Sequence, residues 1–232
     1  MTTTIYYCYD AYCGWCYGFS PVIKKIASAY KDNIAFEVLS GGMISADHPR
    51  HISAIAGYVQ QAYKQVEEMT GIKFGEEYLW HIFNPGESDW YQHSEKSAIA
   101  LCIFKEFYPQ QQAAFAADLQ FALHYEGRDL TDDEAYRHLV KKYSIPEEVF
   151  YAKLTSEEYK EKANYEFALC KQLQATSFPQ VLLQATDQKF YLLAKGYTDY
   201  ETLSKRIQSV LKEIQSNPEL IKTTYHDSDS HS

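Results

Sequence analysis

The chain opens on a short run of apolar and aromatic residues, Ile5-Tyr6-Tyr7-Cys8-Tyr9, closed by Asp10, which predicts a buried strand. Ile23, Ile26, Ala27 and Tyr30 then recur at helical spacing. Ala35-Phe36-Glu37-Val38-Leu39 reads as a second strand and stops at Gly41-Gly42. A long helical stretch follows. Ile52, Ile55, Val59, Ala62 and Val66 mark one helix, ended by Gly71; Ile99, Cys102, Ile103 and Phe107 mark another, stopped at Pro109. Phe115, Leu119, Ala122 and Leu123 mark a third, ended at Gly127. Thr131 with Glu134 has capping-box spacing, Pro146 suits a first helical turn, and Thr155 with Glu158 opens a helix that runs towards Leu173.

Strand patterns return at 180–185 and 189–194, on either side of the polar turn Thr186-Asp187-Gln188, and predict an antiparallel hairpin. Thr198 with Glu201 caps a last amphipathic helix, whose apolar face carries Leu203, Ile207, Val210, Leu211 and Ile214. No internal repeat is visible. The order β-α-β, helices, β-β-α predicts one α/β core interrupted by an all-helical insertion. The core domain is expected over 1–46 and 160–215, the helical insertion over 47–159, and a flexible C-terminal tail over 216–232.

Composition narrows the partners. With 232 residues, 46% of them hydrophobic, the chain can bury a full core. A net charge of −9 argues against nucleic acid or an anionic membrane as the main partner. Met1-Thr2-Thr3-Thr4 leads straight into the first strand without a basic and apolar leader, and no apolar run is long enough to span a bilayer. The expected location is cytoplasmic, where a disulfide would be transient and catalytic. The 21 tyrosines suit packing of half-buried rings, although Tyr7, Tyr12 and Tyr17 lie close enough to the first strand's end to frame a peptide-binding face.

The chemistry sits between the first strand and the first helix, at Cys13-Gly14-Trp15-Cys16. Both cysteines are expected in the first helical turn, beside its orphan N–H groups and positive dipole end. A thiolate is favoured there, so Cys13 is the expected nucleophile, and Cys16 lies on the same side of the turn, within reach of a disulfide. Zinc would need two further ligands at short spacing, and none is present. Cys8, Cys13 and Cys16 do spell the plant-type ferredoxin spacing, but the fourth ligand would have to be the distant Cys102 or Cys170, and Cys8 is a strand residue. Strand, C-x-x-C, helix is instead the redox centre of a thioredoxin-like fold.

The segment Tyr9-Asp10-Ala11-Tyr12-Cys13-Gly14-Trp15-Cys16-Tyr17-Gly18-Phe19-Ser20-Pro21 resembles the active-site segment of DsbA-family thioredoxin-like oxidoreductases, closest to their cytosolic FrnE-like branch. Gly41-Gly42-Met43, Tyr125-Glu126-Gly127-Arg128-Asp129-Leu130 and Phe178-Pro179 are similar too, so the likeness covers about residues 5–215. It implies a cis peptide at Phe178-Pro179 facing the dithiol, and a substrate-binding role for Gly14, Trp15, Phe178 and Pro179 beside the catalytic pair Cys13 and Cys16. It also implies a thiol–disulfide oxidoreductase of the protein disulfide isomerase type that acts on protein or small-molecule disulfides. No metal and no dissociable cofactor are expected, only an external thiol donor that recycles the cysteine pair. Three departures stand out: Phe178 where many relatives carry Thr or Val, Gly-Trp without the His of strongly oxidising relatives, and Tyr7 where such enzymes often bury an acid. Asp10 is nearer and reads as a solvated strand-end carboxylate, with a role as the site's acid as the alternative. Cys102 and Cys8 read as packing residues, with a third-thiol role open for Cys8; Cys170 is ambiguous. His93 reads as a residue ahead of a helix that begins near Ser94, with an approach to the site as the alternative. Reduction or isomerisation suits the compartment better than net oxidation. The rival functions are an adaptor of the same fold that presents client proteins to a protease, and a kappa-like glutathione transferase or isomerase, against which the two cysteines count.

Overall fold

A computed structural model of the protein describes residues 3–216; of the flexible tail expected over 216–232, Ser216 ends the last helix and 217–232 lie outside the described residues. The first half of the core runs β1 (Thr4–Tyr9), α1 (Gly14–Tyr30) and β2 (Ala35–Ser40). Then come β3 (Arg50–His51), α2 (Ser53–Thr70), α3 (Glu76–Phe83), β4 (Tyr91–Gln92), α4 (Glu95–Phe107), α5 (Gln112–His124), α6 (Arg137–Lys142), α7 (Glu147–Leu154) and α8 (Glu157–Gln172). The chain returns through β5 (Gln180–Gln184) and β6 (Phe190–Lys195) to α9 (Tyr200–Ser216). Among the described residues, no helix is long and apolar enough to cross a membrane.

The four longer strands form one sheet in the order β2-β1-β5-β6. β1 is parallel to β2 and antiparallel to β5, and β5 and β6 form the expected antiparallel hairpin. A parallel pair needs a crossover, and α1 supplies it. Alternation along β1 sorts its side chains between two faces. Ile5, Tyr7 and Tyr9 enter the main core, whereas Cys8 enters a smaller cluster with Leu39, Cys170, Ala175 and Leu182 under α8. The main core runs without a break from the sheet into the helical layer, with Phe104 and Phe115 stacked at 4.1 Å between α4 and α5.

β2 is an edge strand, and unpaired edge groups invite another strand. Here side chains occupy them. Gln112 accepts the Val38 N–H at 2.7 Å and donates to the Phe36 carbonyl at 2.7 Å. Lys105 donates to the Val38 carbonyl, and Glu166 accepts the Ser40 N–H at 2.8 Å while pairing with Lys105 at 2.6 Å. Each comes from a different helix of the layer between β2 and β5.

α2 lies close against α1. A Cβ on Gly18 would stand 2.9 Å from methyl groups of both Val66 and Thr70, so only glycine lets the two helices approach this far. That contact holds α2 over the beginning of α1. The pattern of apolar residues did not predict α3, of whose eight residues only Tyr78 and Ile82 are buried, nor the two-residue strands β3 and β4. Three expected caps are displaced. Asp132, not Thr131, accepts the Glu134 N–H; Thr155 ends α7 while Ser156 precedes α8; and Asp199, not Thr198, accepts the Thr202 N–H at 2.9 Å. In the first and last cases the neighbouring aspartate offers a more strongly accepting oxygen than the threonine.

Candidate active site

Cys13 is the N-cap of α1 rather than a residue of its first turn, with an extended backbone (φ −86°, ψ 108°). The β1–α1 connection is short and tightly tied: the Cys13 N–H donates to the Asp10 carbonyl at 3.1 Å, and the Tyr17 N–H to the Cys13 carbonyl at 3.0 Å. The N-cap position aims the Cys13 sulfur at the helix's unsatisfied donors. Its Sγ accepts the Cys16 N–H at 3.3 Å. From the other side, the Phe178 carbonyl oxygen lies 3.6 Å from the same sulfur, within reach of a thiol hydrogen bond. The Phe178–Pro179 peptide is cis. Both cysteines are free thiols.

Access is unequal. Cys13, to which a helix terminus alone would give an open position, is 8% exposed, and Cys16 is fully buried at 0%. The reason is the helical layer, because α2 and Phe74 cover what would otherwise be an open helix terminus. Burial, reinforced by the neighbouring Cys13 sulfur, holds the Cys16 thiol well above its ordinary pKa. The buried Tyr7 ring beneath brings its hydroxyl 3.5 Å from the Cys16 carbonyl.

Asp10 corrects one expectation. It is 1% exposed, not solvated. Its carboxylate accepts the Tyr12 N–H at 3.0 Å and the Met43 N–H at 2.8 Å, so one side chain fastens the motif's loop to the loop after β2. Burial raises its pKa, and those backbone hydrogen bonds oppose the rise. Gly41 completes this junction. A Cβ there would lie 2.0 Å from the tip of the Phe178 ring, so its lack of a side chain makes room for the ring that precedes Pro179.

The remaining expected residues fall into two groups. Gly14, Trp15 and Phe178 line the same cavity as Cys13, and Trp15 Nε1 donates to the Tyr58 hydroxyl at 3.3 Å, linking the motif to α2. Tyr7, Tyr12 and Tyr17 are all buried, and of the three only Tyr12 lines that cavity. Tyr17 instead donates to the Lys73 carbonyl at 2.9 Å and stacks on His124 at 5.1 Å. Cys8 points away from the dithiol, towards Cys170 on the opposite face of the sheet, so β-strand alternation removes it from the site. Cys170 is itself buried there, and its Sγ reaches the Ser40 carbonyl at 3.5 Å. Cys102 packs in the core with its Sγ 3.5 Å from Glu166. His93 stands between β4 and α4, half-buried, outside the residues that line the cavity, with burial lowering its pKa. Among the described residues, no group of three His, Cys, Asp or Glu is placed to hold a metal.

His124 was not anticipated. It closes α5, is fully buried, and Nε2 lies 3.2 Å from the Ala11 carbonyl, two residues ahead of Cys13. A carbonyl only accepts, so Nε2 carries the proton. Burial pushes its pKa down to about 3, which leaves the ring neutral. It props the motif's loop without charging it.

A C-x-x-C at the N-cap of the helix after a central strand, turned towards an X-Pro peptide, defines a thioredoxin-fold protein with a dithiol site. Between β2 and β5 this one carries a helical layer. Residues 4–208 match the family model of the DSBA-like thioredoxin domain, and the chain belongs to that family, whose members are generally thiol–disulfide oxidoreductases. No curated protein matches the chain. Among solved structures, it is similar to a candidate protein disulfide isomerase from Nitrosomonas europaea, with 22% identity over 92% of this chain and 99% of that one, and a TM-score of 0.80. It is also similar to the cytosolic disulfide reductase DsbM from Pseudomonas aeruginosa, with 24% identity over 90% and 99% and a TM-score of 0.72. A 2-hydroxychromene-2-carboxylate isomerase shares 13% identity over 94% and 100%, with a TM-score of 0.62.

Proposed function

We propose that the protein reduces or isomerises disulfides in the cytoplasm through Cys13 and Cys16. The Cys13 thiolate attacks one sulfur of a substrate disulfide, a mixed disulfide forms, and the other substrate sulfur leaves as a thiolate that takes a proton from water. Cys16 then loses its proton and attacks the Cys13 sulfur. The Cys13–Cys16 disulfide forms and the second substrate thiol departs, so two electrons pass from the dithiol to the substrate. An external thiol donor returns the pair to its reduced state. Phe178 and Pro179 hold the substrate against the site, and Gly14 and Trp15 border it.

The observation that supports this reading best is the asymmetry of the two sulfurs. Cys13 receives a backbone N–H at a helix N-terminus and borders a cavity, whereas Cys16 is buried and held protonated. That is the division of labour between a nucleophile and a resolving thiol. In Cys16→Ala, mixed disulfides should accumulate on Cys13 in cells and disappear on adding reductant, while Cys13→Ala should trap nothing. An empty trap under oxidative stress, with partners that co-purify regardless of reductant, would replace the enzyme by the adaptor of the same fold.

A further inference from the structure

Beside Cys13 lies a cavity of about 300 Å³, at the lower end of the size of small-molecule sites. Its walls come from both halves of the molecule. The motif supplies Cys13 and Trp15, the loop after β2 supplies Ile44, and α2 supplies a row of side chains that includes Val59, Ala62 and Val66. Phe74 and Tyr78 line it as well. Most of this surface is aliphatic or aromatic. Arg50, exposed at the start of β3, is the one charged residue among those lining the cavity and forms no ion pair among the described residues.

A cysteine beside an apolar chamber with a single cation describes a ligand. The chamber has room for roughly ten water-sized volumes, enough for one ring or a branched aliphatic group. It is too small for the several side chains of a protein strand. An arm buried there loses water favourably, and a carboxylate on it would meet the Arg50 guanidinium, which binds carboxylates through paired N–H donors. The protein's net charge of −9 makes this cation the more telling, since the molecule as a whole repels acids. We infer that the physiological substrate is a small organic disulfide, or mixed disulfide, with an apolar arm that ends in a carboxylate. The arm lies in the cavity, the carboxylate on Arg50, and the scissile sulfur at Cys13. This rests on the dithiol exchange proposed above and follows the same electron balance: the disulfide gains two electrons and leaves as two thiols.

The test is stopped-flow oxidation of the reduced full chain, followed by Trp fluorescence. The probes are 4,4′-dithiodibenzoate, its homologue longer by one methylene per arm, the neutral 4,4′-dithiodibenzamide, glutathione disulfide and a disulfide-linked unstructured peptide. Each rate is divided by that of N-acetylcysteine with the same probe, which removes differences in leaving group. At least one aryl acid should saturate and react fastest. Arg50→Gln should slow that probe about tenfold, the scale of one charge-assisted hydrogen bond, and leave the neutral amide unchanged. Ala62→Phe should weaken saturation by acid and amide alike. If Arg50→Gln slows neither acid, or if the peptide outpaces every small probe, the acidic small-molecule substrate is overturned while the exchange chemistry stands. If no probe reacts in a Cys13-dependent way, the exchange reading itself fails.

Discussion

Adding one methyl group at Gly41 tests how the site is held together. The Cβ of an alanine there would stand 2.0, 2.4 and 2.6 Å from three carbons of the Phe178 ring. Carbon atoms rest about 3.5 Å apart or more, so the ring must retreat by roughly 1.5 Å. The ring is the movable partner, because Gly41 is fixed by its own N–H, which donates to the Tyr9 carbonyl at 2.7 Å. But Phe178 also presents its carbonyl to Cys13 at 3.6 Å, so relief of the clash disturbs the site. Overpacking of this kind costs about 1–3 kcal/mol. In a chain of this length that lowers the melting temperature by roughly 2–12 °C. The assay is a double-mutant cycle of Gly41→Ala with Phe178→Val, read by urea or thermal unfolding and by single-turnover oxidation of Cys13. Gly41→Ala alone should be destabilised and slow. In the Phe178→Val background, which lacks the ring, the same methyl should cost almost nothing, giving a coupling energy of about 1–3 kcal/mol. Additive effects on stability would refute the contact, and a Gly41→Ala protein that is destabilised yet reacts at full rate would refute its link to the site.

Other outcomes follow from buried polar groups. Gln112→Leu should keep the packing volume but strand the Val38 N–H and the Phe36 carbonyl, at a cost of about 2–4 kcal/mol; an unchanged urea midpoint would show that water replaces the amide. His124 gives a pH dependence. Its folded pKa, about 3, lies below that of an unfolded histidine, so below about pH 6.5 the unfolded chain binds a proton that the folded chain refuses, and stability falls with acidification. Between pH 7 and pH 5 this amounts to about 2 kcal/mol. It should be missing from His124→Gln, which keeps an N–H donor for the Ala11 carbonyl. Equal pH slopes for the two proteins, measured by urea unfolding, would contradict the buried neutral ring.

What could be read from residue order is what local chemistry decides. The strands of the sheet show as short apolar and aromatic runs, and the C-x-x-C stands out because few other arrangements of two cysteines follow a strand and open a helix. The caps were misplaced where a threonine has an aspartate or a serine beside it, since spacing cannot tell which of the two takes the cap position. Asp10 and His124 were misread or missed for a different reason. Asp10 is buried by a loop some thirty residues away and His124 lies more than a hundred residues from the loop it supports, so neither environment exists until the helical layer docks. The cavity has the same origin. Cys13 looks exposed at a helix end until α2, brought close by Gly18, closes over it.

The completion of the sheet's rim by Gln112, Lys105 and Glu166 bears on how such a protein can change over evolutionary time or by design. Joining the end of β2 directly to β5 would retain the dithiol, the X-Pro turn and every strand of the four-stranded sheet, and on paper would yield a minimal redox domain. It would also bare the outward backbone groups of Phe36, Val38 and Ser40, now met by side chains from three different helices. A shortened version would therefore need a new fifth strand, or would acquire a self-associating border. The helices are thus not a removable accessory that merely shapes a pocket; they are what closes the β2 edge of the sheet.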